Sequence, residues 1–223
     1  MKRFILASYL FTTVLGVCAQ KDDLKKLCVD YEHLLTGDKS FQLSYVLTVA
    51  SSIDTSVEHM NFDLYKSNQK DCLKMGEAQV VIHDGLLMLA INNEARTIRF
   101  SDDSSNLNSK NVLVSDFTAI IDSSSAIALD TKDGKFSYTL AFPKTYGYST
   151  VKFVFSKKTK HLLGIYAAFA PDYPSEFKSI EVAYNEPDFK WMPAANFPDT
   201  EKYITKVNGR YVIQEAYDGY KVF

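Results

Sequence analysis

The sequence is poor in the residue types that build catalytic and metal centres, with only three cysteines and four histidines in 223 residues. It contains no Gly-x-Ser-x-Gly elbow, no His-Glu-x-x-His or Cys-x-x-Cys pair, no phosphate-binding glycine loop and no dinucleotide fingerprint. The histidines lie far apart in the sequence, without the spacing of chelating pairs. These absences predict a protein that is not an enzyme and has no catalytic residues, metal ligands or cofactors.

One adjacent pair, His83 and Asp84, could in principle supply a general base and the carboxylate that orients it. Adjacent residues of a strand, however, point to opposite faces of a sheet. A catalytic base must first lie within hydrogen-bond reach of its partner. The pair therefore leaves the prediction of a non-catalytic protein unchanged.

The positive charges of the sequence are not arranged for binding nucleic acid. A nucleic-acid-binding surface shows a basic stripe with interleaved aromatic residues. The basic cluster of this chain runs instead from Lys157 to His161, between two segments that read as strands. We interpret the cluster as a solvated hairpin tip rather than a contact for anionic head groups, and we expect no nucleic acid partner.

The sequence also lacks an apolar run of the roughly 18–20 residues that a membrane-spanning helix needs. The run from Phe4 to Val17 is shorter, follows Lys2 and Arg3, and ends in the small residues that a signal peptidase reads. Residues 1–19 are therefore predicted to be a signal peptide, and the protein to be periplasmic. Cleavage removes two positive charges and no negative one, so the formal net charge changes from −2 to −4.

Cys18 suggests an alternative destination, an outer-membrane lipoprotein anchored through that cysteine. The lipobox of such proteins has Gly, Ala or Ser immediately before the cysteine, whereas this chain has Val17. We therefore prefer a periplasmic protein with a cleaved signal peptide.

Two further cysteines, Cys28 and Cys72, would remain after cleavage. An oxidising compartment favours a disulfide between them. The periodicity argues against it, because Cys28 lies on the apolar stripe of a predicted helix, while Cys72 alternates with Lys70 and Lys74 on the predicted outer face of a strand. Both outcomes stay open at this point.

Antiparallel strands joined by tight turns dominate the chain from Phe41 onwards. The segments 41–50 and 57–64 alternate apolar and polar residues with the period of two that marks a half-buried strand. Asp84-Gly85 and Asp133-Gly134 are dipeptides that tolerate the positive φ of hairpin turns. With 46% hydrophobic residues and no linker, residues 20–223 are predicted to form one mainly β domain with a few helices.

Two helices are predicted beside the strands. Asp22–Thr36 places apolar residues at spacings of three and four, and Gly37 is placed to end the helix. Val112–Ile121 fits either a short helix or a strand, and we prefer the helix. It follows a polar loop, so it is expected to act as a lid that opens locally, anchored by Phe117.

The order of these elements resembles the LolA/LolB-like family of lipoprotein carriers. The resemblance is carried by the strand Phe41–Ala50 after the amphipathic helix and by the Ile82–Leu87 hairpin around Asp84-Gly85, and it extends from Leu24 to about Tyr184. It implies an antiparallel incomplete β-barrel, or half-barrel, around a hydrophobic cavity. The N-terminal amphipathic helix and the short central helix would cover that cavity.

On this resemblance the protein is a periplasmic carrier or chaperone that binds lipid or lipoprotein acyl chains, with an envelope protein as a further partner and at most transient membrane contact. The alternation itself fits a packed core as well as a cavity. The expected cavity lining is Met60, Phe62, Leu64, Leu87, Leu89, Ile91, Phe117, Ile120 and Ile121.

A second functional hypothesis uses aromatic residues predicted near turns. Aromatic side chains bury a large area at a small entropic cost, which suits them to docking surfaces. The alternative to a carrier is therefore a non-catalytic envelope module that docks a protein or glycan through Tyr146, Tyr148, Tyr173 and Trp191.

Overall fold

The computed structural model describes residues 2–67, 70–85, 87–101, 117–191, 197, 200–208 and 210–223, with side chains described from residue 17 onwards. These residues form two α-helices, α1 (Lys2–Thr36) and α2 (Phe117–Ser123). They also form 14 strands: β1 (Phe41–Ser51), β2 (Val57–Ser67), β3 (Lys70–Met75), β4 (Gln79–Asp84), β5 (Leu87–Asn92), β6 (Thr97–Ser101), β7 (Ala126–Lys132), β8 (Lys135–Ala141), β9 (Tyr148–Ser156), β10 (Leu162–Phe169), β11 (Phe177–Tyr184), β12 (Ile204–Val207), β13 (Arg210–Ile213) and β14 (Lys221–Val222).

Twelve of the strands share one sheet, in the order β14-β6-β5-β4-β3-β2-β1-β11-β10-β9-β8-β7, and β12 and β13 form a separate hairpin. The strand pairs with a described register are antiparallel, apart from the parallel pair of β14 with β6. Because β14 and β7 stand at opposite ends of this order, the sheet is open. The predicted class, a mainly β fold with an incomplete antiparallel barrel and helices, is confirmed.

Helix α1 buries one apolar stripe, made of Leu24, Cys28, Tyr31 and Leu35, at the spacings that a packed helix face requires. It ends at Thr36 as predicted, but it begins at Lys2 rather than at Asp22. The periodic pattern revealed only the packed part of the helix. No helix in the described part of the chain is both long and apolar enough to cross a membrane.

The chain divides into two compact units. The first unit comprises Met1–Thr36, Leu47–His59 and Val114–Tyr184, and the second comprises Gly37–Val46, Met60–Leu113 and Asn185–Phe223. The single domain over residues 20–223 stays a prediction.

The first unit contains both helices and the long hairpins β7 to β10. Its largest fully buried side chains on β9 are Phe153 and Phe155. The ring of Phe117 in α2 meets the ring of Phe153 edge-on, with centroids 5.3 Å apart. Helix α2 is also fastened to α1, because Lys25 Nζ lies 2.5 Å from Asp122 Oδ1.

The central helix was predicted over Val112–Ile121, whereas the structure shows it over Phe117–Ser123. Residues 112–116, and with them Val114, lie outside the described residues. Ile121 is fully buried and Phe117 is half-buried, so the part of the predicted apolar face that can be compared does point inwards.

The core of the second unit lies on the face of β3 that was predicted to be outside, so that prediction is wrong. Cys72 is fully buried there, because the C-terminal segment from Phe197 to Tyr220 packs over it. Both lysines on this face have a partner for the ammonium group. Lys70 forms an ion pair, with Nζ 2.7 Å from Asp84 Oδ2, and Lys74 forms a cation–π contact, with Nζ 5.0 Å from the centre of the Tyr65 ring.

Cys28 and Cys72 are both free thiols, the first in unit one and the second in unit two. Burial raises the pKa of each thiol to about 12, since a thiolate in an apolar environment loses its hydration. Both therefore behave as small hydrophobic core residues.

The turn dipeptides were predicted well at Asp133-Gly134 and less well at Asp84-Gly85. Asp133 and Gly134 have φ of 49° and 73°, the positive values that a tight two-residue hairpin turn requires. Asp84 instead belongs to β4 and faces Leu87 of β5. The two central residues of this turn are therefore 85 and 86. Gly85 has a φ of 63°, and residue 86 lies outside the described residues.

A histidine–carboxylate pair links β3 and β4. His83 Nδ1 lies 2.9 Å from Asp71 Oδ1, and the hydrogen bond to Asp71 raises the pKa of His83 above its ordinary value. Because the folded-state pKa is the higher one, this contribution to stability is complete below about pH 6.5 and is lost as the pH rises through the folded pKa.

We therefore expect the free energy of unfolding to decrease through this pH range in the natural protein, and the decrease to be smaller in an Asp71→Asn variant. Urea unfolding at a series of pH values measures it. His83→Gln, which removes the other partner of the same hydrogen bond, should show the same smaller decrease. An Asp71→Asn profile identical to that of the natural protein would contradict the assignment.

Candidate functional site

The cavity lining expected from the sequence does not form a single surface. Leu64 pairs with Leu73 and Leu73 with Val81, whereas Leu89 pairs with Ile82, the neighbour of Val81 in β4. Successive residues of a strand face opposite sides of the sheet. Met60, Phe62 and Leu64 therefore lie on one face and Leu87, Leu89 and Ile91 on the other, which corrects the prediction of a common lining.

The second triplet belongs to a packed core. Leu89 and Ile91 are buried beneath the C-terminal segment, and Leu87 packs against the same cluster. The prediction failed because β4 carries apolar residues on both faces of the sheet, with Val80, Val81 and Ile82 in a row. Alternation in one strand then cannot tell which of its faces continues the apolar face of the next strand.

The other expected residues also make packing contacts. The Phe62 ring stacks on Tyr45, with centroids 4.8 Å apart and an interplanar angle of 3°. Ile121 is fully buried, and Ile120 is half-buried. None of the nine residues lines the cleft between α1 and the β7–β8 hairpin.

A cleft of about 470 Å³ lies in the first unit, between α1 and the β7–β8 hairpin. The helix side consists of residues at relative positions i, i+3, i+4 and i+7, which share one side of a helix. The strand side consists of two cross-strand pairs. The lining residues are Asp23, Lys26, Leu27 and Asp30 of α1, Leu129, Thr131, Phe136 and Tyr138 of the hairpin, and Lys157 and Lys160 of the β9–β10 turn.

Local sequence explains why the helix contributes a mixed surface. The cleft residues Asp23, Leu27 and Asp30 precede the buried residues Leu24, Cys28 and Tyr31 by one position each, a rotation of about 100° around the helix axis. Leu27 is consequently half-buried. It presents apolar surface to the cleft between charged neighbours.

The hairpin side is unusually apolar for an exposed position. Leu129 is 46% exposed although its cross-strand partner, Tyr138, is buried. Burial raises the pKa of the Tyr138 hydroxyl above its ordinary value, and the negative charge of Asp23 raises it further. Tyr138 is therefore a neutral hydrogen-bonding group in the cleft.

The basic turn, predicted as a hairpin tip, does connect β9 to β10 and also forms one end of the cleft. The Lys157 N–H donates a 2.8 Å hydrogen bond to the Gly134 carbonyl, which holds this turn beside the β7–β8 turn. Lys160 Nζ lies 4.8 Å from the centre of the Phe136 ring. The interpretation as a mere solvated tip missed this position, which depends on neighbours far away in the sequence.

The charges of the cleft are not neutralised by one another. Within the described part of the chain, no ion pair is formed by Lys26, Lys157 or Lys160, nor by Asp23 or Asp30. Three lysines and two aspartates give the lining a formal charge of one positive unit. The site can therefore hold an apolar body and a charged end at the same time.

A row of aromatic rings forms a second surface feature of the first unit. Tyr146, Tyr148 and Tyr173, three of the predicted docking residues, belong to it, and Tyr173 and Phe177 are about half exposed. Trp191 does not, because it is buried in the second unit against Tyr65, with ring centroids 5.4 Å apart. The complete row is Phe142, Tyr146, Tyr148, Phe169, Tyr173 and Phe177.

The described residues include no group of three or more histidine, cysteine, aspartate or glutamate side chains arranged to hold a metal ion. The buried hydroxyl of Tyr138, the amines of Lys157 and Lys160, and the apolar hairpin surface instead offer binding groups. Their chemistry is that of a site for an amphiphilic molecule.

No protein-family model matches the chain, and no curated protein matches it either. Solved structures with a similar chain course include a LolA superfamily protein from Nitrosomonas europaea, at 8% identity and a TM-score of 0.36, which covers 78% of this chain and 97% of that chain. LprF from Mycobacterium bovis has 7% identity and a TM-score of 0.43, over 80% and 97% of the two chains. A putative outer membrane lipoprotein-sorting protein domain from Vibrio parahaemolyticus has 9% identity and a TM-score of 0.30, over 72% and 89%. These likenesses concern the fold alone.

Proposed function

We propose that the protein is a non-catalytic periplasmic carrier or chaperone that binds an acyl chain of a lipid or lipoprotein in the cleft between α1 and the β7–β8 hairpin. The observation that carries the proposal is the apolar surface of that cleft. Its volume, about 470 Å³, falls in the range of about 300–1,000 Å³ typical of ligand sites. An acyl chain would remove the exposed Leu129 side chain and the Phe136 ring from water.

Apolar contact is the expected source of affinity. Burying a methylene group contributes about 0.8 kcal/mol, so a few methylene groups on Leu27, Leu129 and Phe136 suffice for measurable binding. Protein purified from its native envelope is therefore expected to carry lipid, detectable by native mass spectrometry and lipid extraction. Recovery of the protein free of lipid and unable to bind a fluorescent acyl probe would contradict the proposal.

A Leu129→Asn variant is expected to bind a fluorescent fatty-acyl probe about fivefold more weakly than the natural protein. The loss corresponds to roughly 1 kcal/mol, because half of a leucine side chain no longer meets the acyl chain. Stability should change little, since Leu129 is 46% exposed. Equilibrium titration of the probe measures the affinity.

The matched control is Val57→Asn, another exposed apolar strand residue of the first unit, at 52% exposure. It does not line the cleft, so its probe affinity should equal that of the natural protein. Equal weakening in both variants would show that the probe binds exposed apolar surface in general and would contradict the assigned site.

The aromatic row supports a second candidate function, an envelope module that docks a protein or glycan. Some of its rings are nearly parallel: the centroids of the Phe142 and Tyr146 rings lie 4.9 Å apart, at an interplanar angle of 13°. Sugar rings and apolar side chains stack on such faces. A Tyr173→Ala variant should then lose binding to isolated envelope glycan while keeping the acyl-probe affinity, and the Leu129→Asn variant should show the reverse.

A further inference from the structure

We propose that the cleft selects amphiphiles with a singly charged anionic head group and that Lys157 and Lys160 bind this group at the turn end of the cleft. The inference rests on the proposed function, because it concerns the head group of a ligand whose acyl chain occupies the same cleft. A phosphodiester and a carboxylate share the required chemistry.

The two lysines are positioned by the backbone rather than by long-range charge. The Lys157 N–H is bonded to the Gly134 carbonyl at 2.8 Å, and the Lys160 N–H to the Ser156 carbonyl at 2.9 Å. Lys160 also has a φ of 64°, and its ammonium group lies 4.8 Å from the centre of the Phe136 ring. Both ammonium groups are therefore held near one end of the apolar floor, and in the described residues neither has an anionic partner.

The direction of a bound chain follows from the helix. The Tyr31 ring lies 6.1 Å from the His161 ring, so the turn of α1 that carries Asp30 is the one beside the lysine turn. Asp23 lies towards the other end, where its charge acts on Tyr138. A head group at the lysines would thus place its acyl chain along Leu27, Leu129 and Tyr138.

Charge balance favours one negative charge over none or two. The lining carries three lysines and two aspartates, so a monoanion neutralises the site. A cation would be repelled by the net positive charge, and the second charge of a dianion would be repelled by Asp30. Oxyanions bound by ammonium groups form charge-assisted hydrogen bonds, which are stronger than neutral ones. Lys160 can turn its ammonium from the Phe136 ring to the head group as the acyl chain takes its place on the ring.

The experiment compares three amphiphiles of equal chain length below their micellar concentrations: a fatty acid, a lysophosphatidylglycerol and a neutral monoacylglycerol. The full-length protein should bind at least one of the two anions about tenfold more tightly than the monoacylglycerol. The preferred anion distinguishes a carboxylate from a phosphodiester ligand. Its advantage should shrink as the salt concentration rises, because screening weakens exposed charge pairs.

Variants localise the preference. The double variant K157Q/K160Q should abolish the anion preference, so that the preferred anion binds no more tightly than the monoacylglycerol. Lys158→Gln is the matched control, since Lys158 is exposed in the same turn but does not line the cleft, and it should behave as the natural protein. Asp30→Asn should strengthen anion binding, an effect in the opposite direction that general loss of structure cannot produce.

The possible failures differ. Equal affinity of the natural protein for all three amphiphiles, or an equal loss of all three affinities in K157Q/K160Q, would overturn the head-group inference and leave the acyl-chain carrier standing. Absence of binding by all three, the monoacylglycerol included, would overturn the proposed function together with it.

Discussion

A Phe153→Ala variant is expected to lose about 3–5 kcal/mol of unfolding free energy. Phe153 is fully buried in the first unit, where its ring meets Phe117 of α2 at 5.3 Å. The register places it between Tyr138 of β8 and Ile165 of β10, so the cavity left by the ring is walled by strands that cannot close on it. Urea unfolding followed by far-ultraviolet circular dichroism measures the loss.

Phe177→Ala is the control for this variant, because Phe177 is also an aromatic strand residue of the first unit but is 42% exposed. It should cost less than about 1 kcal/mol. A Phe153→Ala protein as stable as the control would mean that the first unit is not packed around β9.

The same series tests the proposal that α2 is a lid. Phe117→Ala should lower the unfolding free energy clearly less than Phe153→Ala does, because Phe117 is half-buried and a lid opens separately from the core. The contact of Lys25 with Asp122 adds only a surface ion pair, worth about 0–1 kcal/mol, to the closed state. Severe global destabilisation by Phe117→Ala would rule the lid out.

Deletion of residues 197–223 is expected to unfold or loosen the second unit and to make Cys72 reactive. The deleted segment covers the fully buried Cys72, Ile82, Leu89 and Ile98. In the intact protein burial raises the pKa of the Cys72 thiol to about 12, and the thiolate is the reacting form. The rate of modification by a disulfide reagent at pH 8, in a Cys18→Ser and Cys28→Ser background, measures the exposure.

The control deletes residues 221–223 only. Residues 221 and 222 form the short strand β14, and all three deleted residues are exposed, so Cys72 should stay protected and the melting temperature should fall by little. Slow modification in the long deletion, as slow as in the intact protein, would mean that another part of the chain buries this face.

The predicted strands and turns agree with the structure because their determinants are local. Alternation placed the strand Phe41–Ala50 within one residue of β1. The dipeptide Asp133-Gly134 forms the predicted turn between β7 and β8, because few other dipeptides tolerate two positive φ values. The apolar stripe of α1 was equally readable, since spacings of three and four define one side of a helix wherever it packs.

The candidate site could not be predicted in this way. Its lining comes from α1, from the β7–β8 hairpin and from the lysine turn, which are separated by long stretches of sequence and meet only after the sheet has formed. Leu129 and Lys160 look like ordinary surface residues until their neighbours are known. The expected lining consisted of apolar strand residues instead, and such residues are the ones most often buried in a core.

The sequence by itself determined the mainly β class, most strand positions, the hairpin turns and the packed side of α1, because periodicity and backbone preference act over a few residues. Only the tertiary structure decided which face each strand buries. Cys72 is inside because the C-terminal segment covers its side of β3 to β6, and Leu64 lies on the opposite face from Leu89 because of the register of β2 to β5. The contact of the C-terminal segment with these strands leaves no local pattern in either of them.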